Sequence, residues 1–197
     1  MKKTIGIIGA GNIGKTVAAH LLKSGFPVII SNSKGPESLK EIIAQLGNGI
    51  KAVTTQAAAN ADIVLLALPW GQVRTLSTLT DWHNRIVIDA TNHFTPDMQV
   101  EDLGGRASSE VVQDYLPGAR LVKAFNTLYF KVLEADPVTQ NGHRVLFVSG
   151  DDQEAKDQVN DVINAIGFAP VNLGSLSVGS KFQQAKGVLS TLNLIKL

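Results

Sequence analysis

Residues 9–16 read Gly9-Ala10-Gly11-Asn12-Ile13-Gly14-Lys15-Thr16, and two phosphate-binding patterns overlap in them. Gly9, Gly11 and Gly14 satisfy G-x-G-x-x-G, the dinucleotide loop. Gly9, Gly14, Lys15 and Thr16 satisfy G-x-x-x-x-G-K-[ST], the triphosphate loop, and Ile86-Val87-Ile88-Asp89 offers a Walker-B-like strand to go with it. In the dinucleotide pattern the first glycine makes the tight turn and the second lets backbone approach a pyrophosphate. The third lets helix and strand pack closely, with phosphate charge held at the helix N-terminus. Three features favour this pattern. Gly11 has a role in it and none in the other; the apolar stripe of the following helix begins at Ile13, ahead of Gly14; and the loop directly follows a strand near the N-terminus. The remaining readings are the triphosphate loop and an incidental glycine turn with Lys15 merely solvated on the helix.

Outward from the loop, short apolar runs cover residues 4–8, 28–30, 63–68, 85–88, 120–124 and 145–148. Most are continuous rather than alternating, as strands buried on both faces of a parallel sheet read. Ile13, Val17 and Leu21, with Ala18 and Leu22, make one helical stripe, and Leu39, Ile42, Ile43 and Leu46 a second. Gly35-Pro36 starts the second helix and Gly47 stops it. Strand and helix in alternation predict an α/β fold: a Rossmann-type, doubly wound, mostly parallel sheet with a small altered C-terminal third. We expect one domain over residues 1–197. Its core, 1–125, binds the dinucleotide, and 126–197 extends the sheet and adds helices. In that extension Asn141-Gly142 marks a turn, and Asp151-Asp152 opens a helix reaching about Ile166, where Gly167 ends it. The tail from Gly179, with Val188, Leu189, Leu192, Leu194 and Ile195, is expected to be a helix packed on the sheet or on a second subunit.

The chain has 197 residues, 44% hydrophobic and 18% charged, which excludes disorder and collagen-like repeats. Eighteen Lys and Arg against 17 Asp and Glu leave a net charge of +1, no footprint for nucleic acid. The absence of cysteine excludes a disulfide scaffold, a thiolate metal site and a cysteine nucleophile. Met1-Lys2-Lys3 resembles a signal n-region, but the apolar run behind it is short and broken by glycine. No apolar run approaches the roughly 18 residues of a membrane span. The expectation is a cytoplasmic protein with no membrane segment.

At the end of the second strand, NAD-binding proteins usually place a carboxylate on the ribose 2′-hydroxyl. Here the residues are Ser31-Asn32-Ser33-Lys34. Two hydroxyls, an amide and a cation suit a 2′-phosphate, and Lys34 supplies the charge-assisted contact. This favours NADP(H) over NAD. The plainer alternative is that Ser and Asn only make the turn before Gly35-Pro36.

Four blocks together resemble one family: Gly9-Ala10-Gly11-Asn12-Ile13-Gly14, Ser31-Asn32-Ser33-Lys34-Gly35-Pro36-Glu37, Ala67-Leu68-Pro69-Trp70 and Val122-Lys123-Ala124-Phe125-Asn126-Thr127. The chain is similar, over nearly its whole length, to the NADPH-dependent oxidoreductases related to the enzyme that exchanges hydride between NADP and coenzyme F420, a deazaflavin. It is similar also to the reductase domain of eukaryotic metalloreductases, which passes hydride to a flavin. The resemblance implies that Ala10 to Ile13 cradle the pyrophosphate, and that Asn32, Ser33 and Lys34 hold the 2′-phosphate. It further implies that Leu68, Pro69 and Trp70 wall the cofactor, that Thr91 and Asn92 lie near the nicotinamide ribose, and that Ala124, Phe125 and Asn126 lie near the nicotinamide, where coenzyme F420, a flavin or a similar acceptor docks. Pro69 as a strand end, Trp70 as a packer and Phe125 as core are the alternatives for those three. The chain also resembles the N-terminal half of pyrroline-5-carboxylate reductase, but without the long helical dimerisation domain that completes that enzyme's site, so an imine substrate is not the expectation.

Transfer of hydride between stacked rings needs positioning and water exclusion more than a side-chain acid. No obligatory catalytic residue is expected. His93, beside Thr91-Asn92, is the candidate proton donor for a carbonyl or imine substrate, against a plain role as an exposed loop residue. His20, His83 and His143 form no metal spacing with carboxylates, and no metal site is expected. Rival readings are a noncatalytic NADPH-binding sensor domain acting through a partner and a small NTPase. A homodimer with the apolar tail covering a partner's crevice is a further expectation.

Overall fold

The structure, a computed structural model, describes residues 2–197. β1 (Ile5–Ile8) leads through the glycine loop into α1 (Asn12–Lys23). There follow β2 (Val28–Ser31), a 3-10 turn (Pro36–Leu39), α2 (Lys40–Leu46), β3 (Ile50–Ala52), α3 (Thr55–Ala59) and β4 (Ile63–Leu66). A 3-10 segment (Trp70–Thr78), β5 (Ile86–Asp89), α4 (Ser108–Tyr115) and β6 (Arg120–Lys123) complete the first part. Beyond it come α5 (Phe130–Glu134), β7 (Val138–Thr139), β8 (Gly142–Gly150), α6 (Gln153–Ala165), β9 (Ala169–Asn172), α7 (Leu176–Gln183) and β10 (Ile195–Lys196).

The strands order as β3-β2-β1-β4-β5-β6, all parallel. This is the Rossmann order, and β1 and β4 are the neighbours between which the winding reverses, the place where such sheets bind ligands. Ile5 is in register with Val28 on one side and Ile63 on the other, so β1, β2 and β4 release their loops at one edge. The continuous apolar runs have the predicted cause. Ile5, Ile7, Ile63, Leu65, Ile86 and Ile88 pack into the layer containing α1 and α6, while Ile8, Val64, Leu66 and Val87 pack into the opposite layer with Trp82, Val112 and Leu116. Both faces are covered, so no polar face is needed.

β8 joins antiparallel to β6 through Val122↔Gly150 and Lys123↔Ser149, and carries β9 parallel to itself. The tail expected to be a helix from Gly179 is helical only to Gln183, within α7, and not over its apolar residues. After α7 it runs through turns, with Lys186 at φ 60° and Thr191 at φ 68°, and ends as β10, antiparallel to β8. The edge of β8 has backbone groups to satisfy. Val145 N donates to Leu194 O at 2.9 Å, and Arg144 Nη1 donates to Asn193 Oδ1 at 2.8 Å. The helix expected over 36–46 divides into a 3-10 turn and α2, with Leu39 in the core and Ile42, Ile43 and Leu46 half-buried against it. Among the described residues no helix is long and apolar enough to cross a membrane.

Candidate functional site

The three glycines of the loop differ in what surrounds them. A Cβ at Gly9, which has φ +115°, would lie 2.1 Å from Ala67 O on β4's exit. One at Gly14 would lie 2.0 Å from Gly9 O, so the third glycine lets α1 press on the loop itself. A Cβ at Gly11 meets nothing within 4 Å. Gly9 and Gly14 are therefore small for the protein's own packing, and Gly11 leaves open space beside the start of a helix. That helix has no side-chain cap at Gly11 and no acidic residue in its first turn, so its leading N–H groups have no anionic side chain to satisfy them.

The triphosphate reading fails on this geometry. α1 begins at Asn12, and Lys15 N already donates to Gly11 O at 3.0 Å, so the Lys15-Thr16 pair lies within the helix. Both residues line a separate hollow of about 320 Å³ with His20, Lys23 and Phe130, rather than the space beside Gly9 and Gly11. Asp89, the Walker-B-like carboxylate, is fully buried in an ion pair with Lys123.

Beside Gly9, Ala10 and Gly11 opens a cavity of about 620 Å³, bounded by Asn32, Ser33 and Lys34 after β2 and by Ala67, Leu68 and Pro69 after β4. Three of the expected blocks meet there. Ser38, Ile42 and Thr55 close one side, and Gln72, Thr75 and Leu76 of the 3-10 segment, with Leu79 directly after it, close another. None of these seven was read from the sequence as lining a site: Ile42 counted there only in a helical stripe, and the spacing of Trp70–Thr78 carries no ligand signal. Asn32 shapes the turn: its Nδ2 donates to Ser38 Oγ at 2.9 Å, and its Oδ1 accepts from Lys34 N at 2.9 Å. Ser33 and Lys34 are exposed, and their side chains have no hydrogen-bond partner among the described residues. Ser31 is not brought to the cavity. It is fully buried and its hydroxyl donates to Ile7 O at 3.2 Å, bracing β2 on β1. Asn12, Ile13 and Gly14 likewise do not line the cavity; they form the start of α1 behind it.

The remaining expected residues gather at the ends of β5 and β6. Asn92 Nδ2 donates to Asn126 O at 3.0 Å, and Asn126 Nδ2 donates to Asn92 Oδ1 at 3.1 Å. Asn126 is 7% exposed, and its Oδ1 is buried without a partner among the described residues. An orphaned acceptor of this kind costs about 1–3 kcal/mol unless a donor meets it. Ala124 and Phe125 are buried in the core layer of α1 and α6. Phe125 holds φ +66°, strain that turns the chain directly after β6. Trp70 is buried rather than on the cavity wall. Its Nε1 donates to Glu101 Oε2 at 2.8 Å, and its ring meets His93 edge-on at 6.0 Å.

Thr91 belongs to a buried network that the sequence only hinted at. Asp89 Oδ1 accepts from Thr91 N at 2.9 Å and from Thr91 Oγ1 at 2.6 Å. Asp89 Oδ2 accepts from Ser109 Oγ at 2.6 Å and from Lys123 Nζ at 3.0 Å, and Lys123 Nζ also donates to Thr91 O at 2.9 Å. Burial alone would raise the Asp89 pKa, but the Lys123 charge and the hydroxyl donors outweigh it and hold the carboxyl below its ordinary value. Opposite charges closing two neighbouring apolar runs were the signal available, since Asp89 and Lys123 are register partners.

His93 is not an exposed loop residue: it is 3% exposed, and its Nδ1 is enclosed without a partner among the described residues. Burial lowers its pKa, the Lys123 charge lowers it further, and Glu101 and Asp89 oppose this only in part. A histidine whose folded pKa lies below 6.5 contributes stability that is whole above that pH and is lost as pH falls through the folded value. Replacing His93 with Gln is expected to flatten the fall in urea-unfolding stability below pH 6.5; an unchanged slope would assign it elsewhere.

Comparison with known proteins places the chain. Residues 4–93 match the family described as NADP oxidoreductase, coenzyme F420-dependent. A hypothetical protein of Sinorhizobium meliloti, of known structure, is 43% identical, with a TM-score of 0.94 over 100% of this chain and 97% of that one. A putative F420-dependent NADP-reductase from an Arthrobacter strain shares the fold at 22% identity, with a TM-score of 0.75 over 88% of this chain and 86% of that one. The metalloreductase STEAP3 of Rattus norvegicus is 30% identical over 177 residues, 88% of this chain and 34% of its own length. The chain spans about a third of the length of the curated metalloreductases it matches. The family match contains the glycine loop, the turn after β2, the exit of β4 and the Thr91-Asn92 loop, and over these residues the chain resembles the NADP oxidoreductase family described as coenzyme F420-dependent.

Proposed function

We propose that this chain binds NADP(H) across the carboxyl ends of its parallel strands and serves hydride exchange with a deazaflavin, flavin or similar ring. The observation that carries the cofactor choice is the end of β2, where Ser33 and the unpartnered cation of Lys34 border the 620 Å³ cavity and no carboxylate is among the residues lining it. The site fits the group on two counts. Gly11 leaves open space beside an uncapped helix start, suited to a pyrophosphate. Asn126 Oδ1 is a buried acceptor lacking a donor, suited to the amide hydrogens of a carboxamide.

When bound, the dinucleotide supplies the hydride. The chain's own part is to hold and to exclude water. Leu68, Pro69, Leu76 and Leu79 give apolar walls to the adenosine half, while Ser33 and Lys34 bind the 2′-phosphate. Asn92 and Asn126 orient the nicotinamide end. Burial lowers the His93 pKa and so disfavours its imidazolium form, in keeping with an acceptor that needs no side-chain acid. The apolar, exposed Val188, Leu192 and Leu194 make the tail the contact of a homodimer in this reading; a single monomeric species in sedimentation would remove that element.

The test is a fluorescence titration with NADPH and NADH. NADPH is expected to bind at least tenfold tighter, about 1.4 kcal/mol. Lys34→Ala is expected to weaken NADPH roughly tenfold and leave NADH unchanged. Equal affinities for the two would end the NADP assignment, and no binding of either would end the dinucleotide reading. Turnover of NADPH with a panel of flavins and deazaflavins then tests the acceptor.

A further inference from the structure

The amide of Asn126, which is paired with that of Asn92, is held from behind by a residue of the C-terminal third. Gln183, the last residue of α7, is fully buried. Its Nε2 donates to Phe147 O at 2.9 Å on β8 and to Lys123 O at 3.3 Å on β6, and its Oε1 accepts from Ser149 Oγ. The side chain thus spans the seam where the antiparallel extension joins the parallel sheet. Its main-chain carbonyl accepts from Asn126 Nδ2 at 2.8 Å.

That carbonyl decides which way the Asn126 amide faces. Nδ2 of Asn126 donates to both Gln183 O and Asn92 Oδ1. Turning the amide over would set Oδ1 against two acceptors and leave both without a donor, which a buried site does not tolerate. Asn92 is fixed by the same logic, since its Nδ2 is committed to Asn126 O. The outcome is a single orientation in which Asn126 Oδ1 remains the free acceptor.

We infer that Gln183 is a positioning residue that clamps α7 across the seam between β6 and β8, so that its carbonyl orients Asn126 and presents Oδ1 to the carboxamide of a nicotinamide ring. This rests on the NADP(H) reading above. By it, the C-terminal third acts on the reactive end of the cofactor through one buried glutamine, and the adenosine half, 620 Å³ of cavity between β1, β2 and β4, is independent of it.

The two halves can be probed separately. Adenosine 2′,5′-bisphosphate occupies the adenosine half alone, whereas NADPH engages both. For the unaltered chain NADPH is expected to bind tighter than the bisphosphate, with a blue shift of the bound nicotinamide emission. In Gln183→Leu the bisphosphate affinity is expected to stay within twofold, which also shows that the fold is intact. NADPH is expected to weaken at least tenfold and to lose much of its emission shift. Ser149→Ala, which removes only the donor to Gln183 Oε1, is expected to give the same pattern at several-fold. Equal weakening of both ligands, or an unchanged ratio in both variants, would overturn the inference while leaving the NADP(H) reading standing. If the unaltered chain bound neither ligand, that reading would fall and this one with it.

Discussion

Gly14→Ala is expected to lower stability by about 3 kcal/mol, against what helix propensity alone predicts. Alanine favours a helix interior over glycine by about 1 kcal/mol. Here the added methyl would lie 2.0 Å from Gly9 O and 3.1 Å from Gly9 C, both backbone atoms of a loop packed so closely on the exit of β4 that a Cβ built at Gly9 would itself fall 2.1 Å from Ala67 O. No flexible side chain can yield, so α1 or the loop must move, an overpacking cost that exceeds the propensity gain. Urea unfolding measures it, and NADPH affinity is expected to fall at least tenfold with the shift of α1. Gly11→Ala is the contrast. Its Cβ meets no protein atom within 4 Å, and its φ of −78° suits alanine. Stability is expected to hold within about 0.5 kcal/mol while NADPH binding is lost. The reverse result, Gly14→Ala as stable as the parent, would show that the third glycine has no packing role.

The second large effect is expected at the buried pair. Lys123→Met leaves Asp89 with its hydroxyl donors but without its countercharge, in a site with no exposure to water. Removing one partner of such a pair costs about 3–5 kcal/mol. The pH dependence identifies the cause. In the parent, Asp89 has its pKa held below 3.8, so its contribution is complete above that pH and is lost only as pH falls through the lower folded value. In Lys123→Met burial acts unopposed by the cation and raises the Asp89 pKa, so the folded state takes up the proton and the destabilisation shrinks as pH drops from 7 toward 4. Asp89→Leu combined with Lys123→Met is expected to recover part of the loss. Recovery stays partial because Ser109 and Thr91 then lack an acceptor. A pH-independent loss in Lys123→Met would point to lost packing rather than lost charge.

These effects mark where the sequence was informative. Gly9, Gly11 and Gly14 identified the loop because each glycine answers a local demand, a positive φ, an open approach or a close helix contact. The runs around Ile7, Leu65, Val87 and Val122 identified a buried parallel sheet because both faces of every such strand need apolar cover. β3, only Ile50–Ala52, was not legible: three residues carry no periodicity. The tail misled for a related reason. Leu192, Leu194 and Ile195 are apolar enough for a helix, but the free edge of β8 had prior claim on their backbone.

The amino-acid sequence by itself determined the glycine loop, the succession of apolar strands along the chain, the carboxylate-free end of β2 and, through four blocks of residues, the family resemblance. All of these rest on neighbours within a few positions. Only the tertiary structure decided that Ser31 braces the sheet, that Trp70 turns to Glu101, that His93 is buried and that Gln183 stands behind Asn126. The partners there are 24 to 57 residues apart in the chain. Whether a polar side chain is spent on the protein or left for a ligand is settled by which distant donor or acceptor folding brings to it, and no local pattern of residues records that.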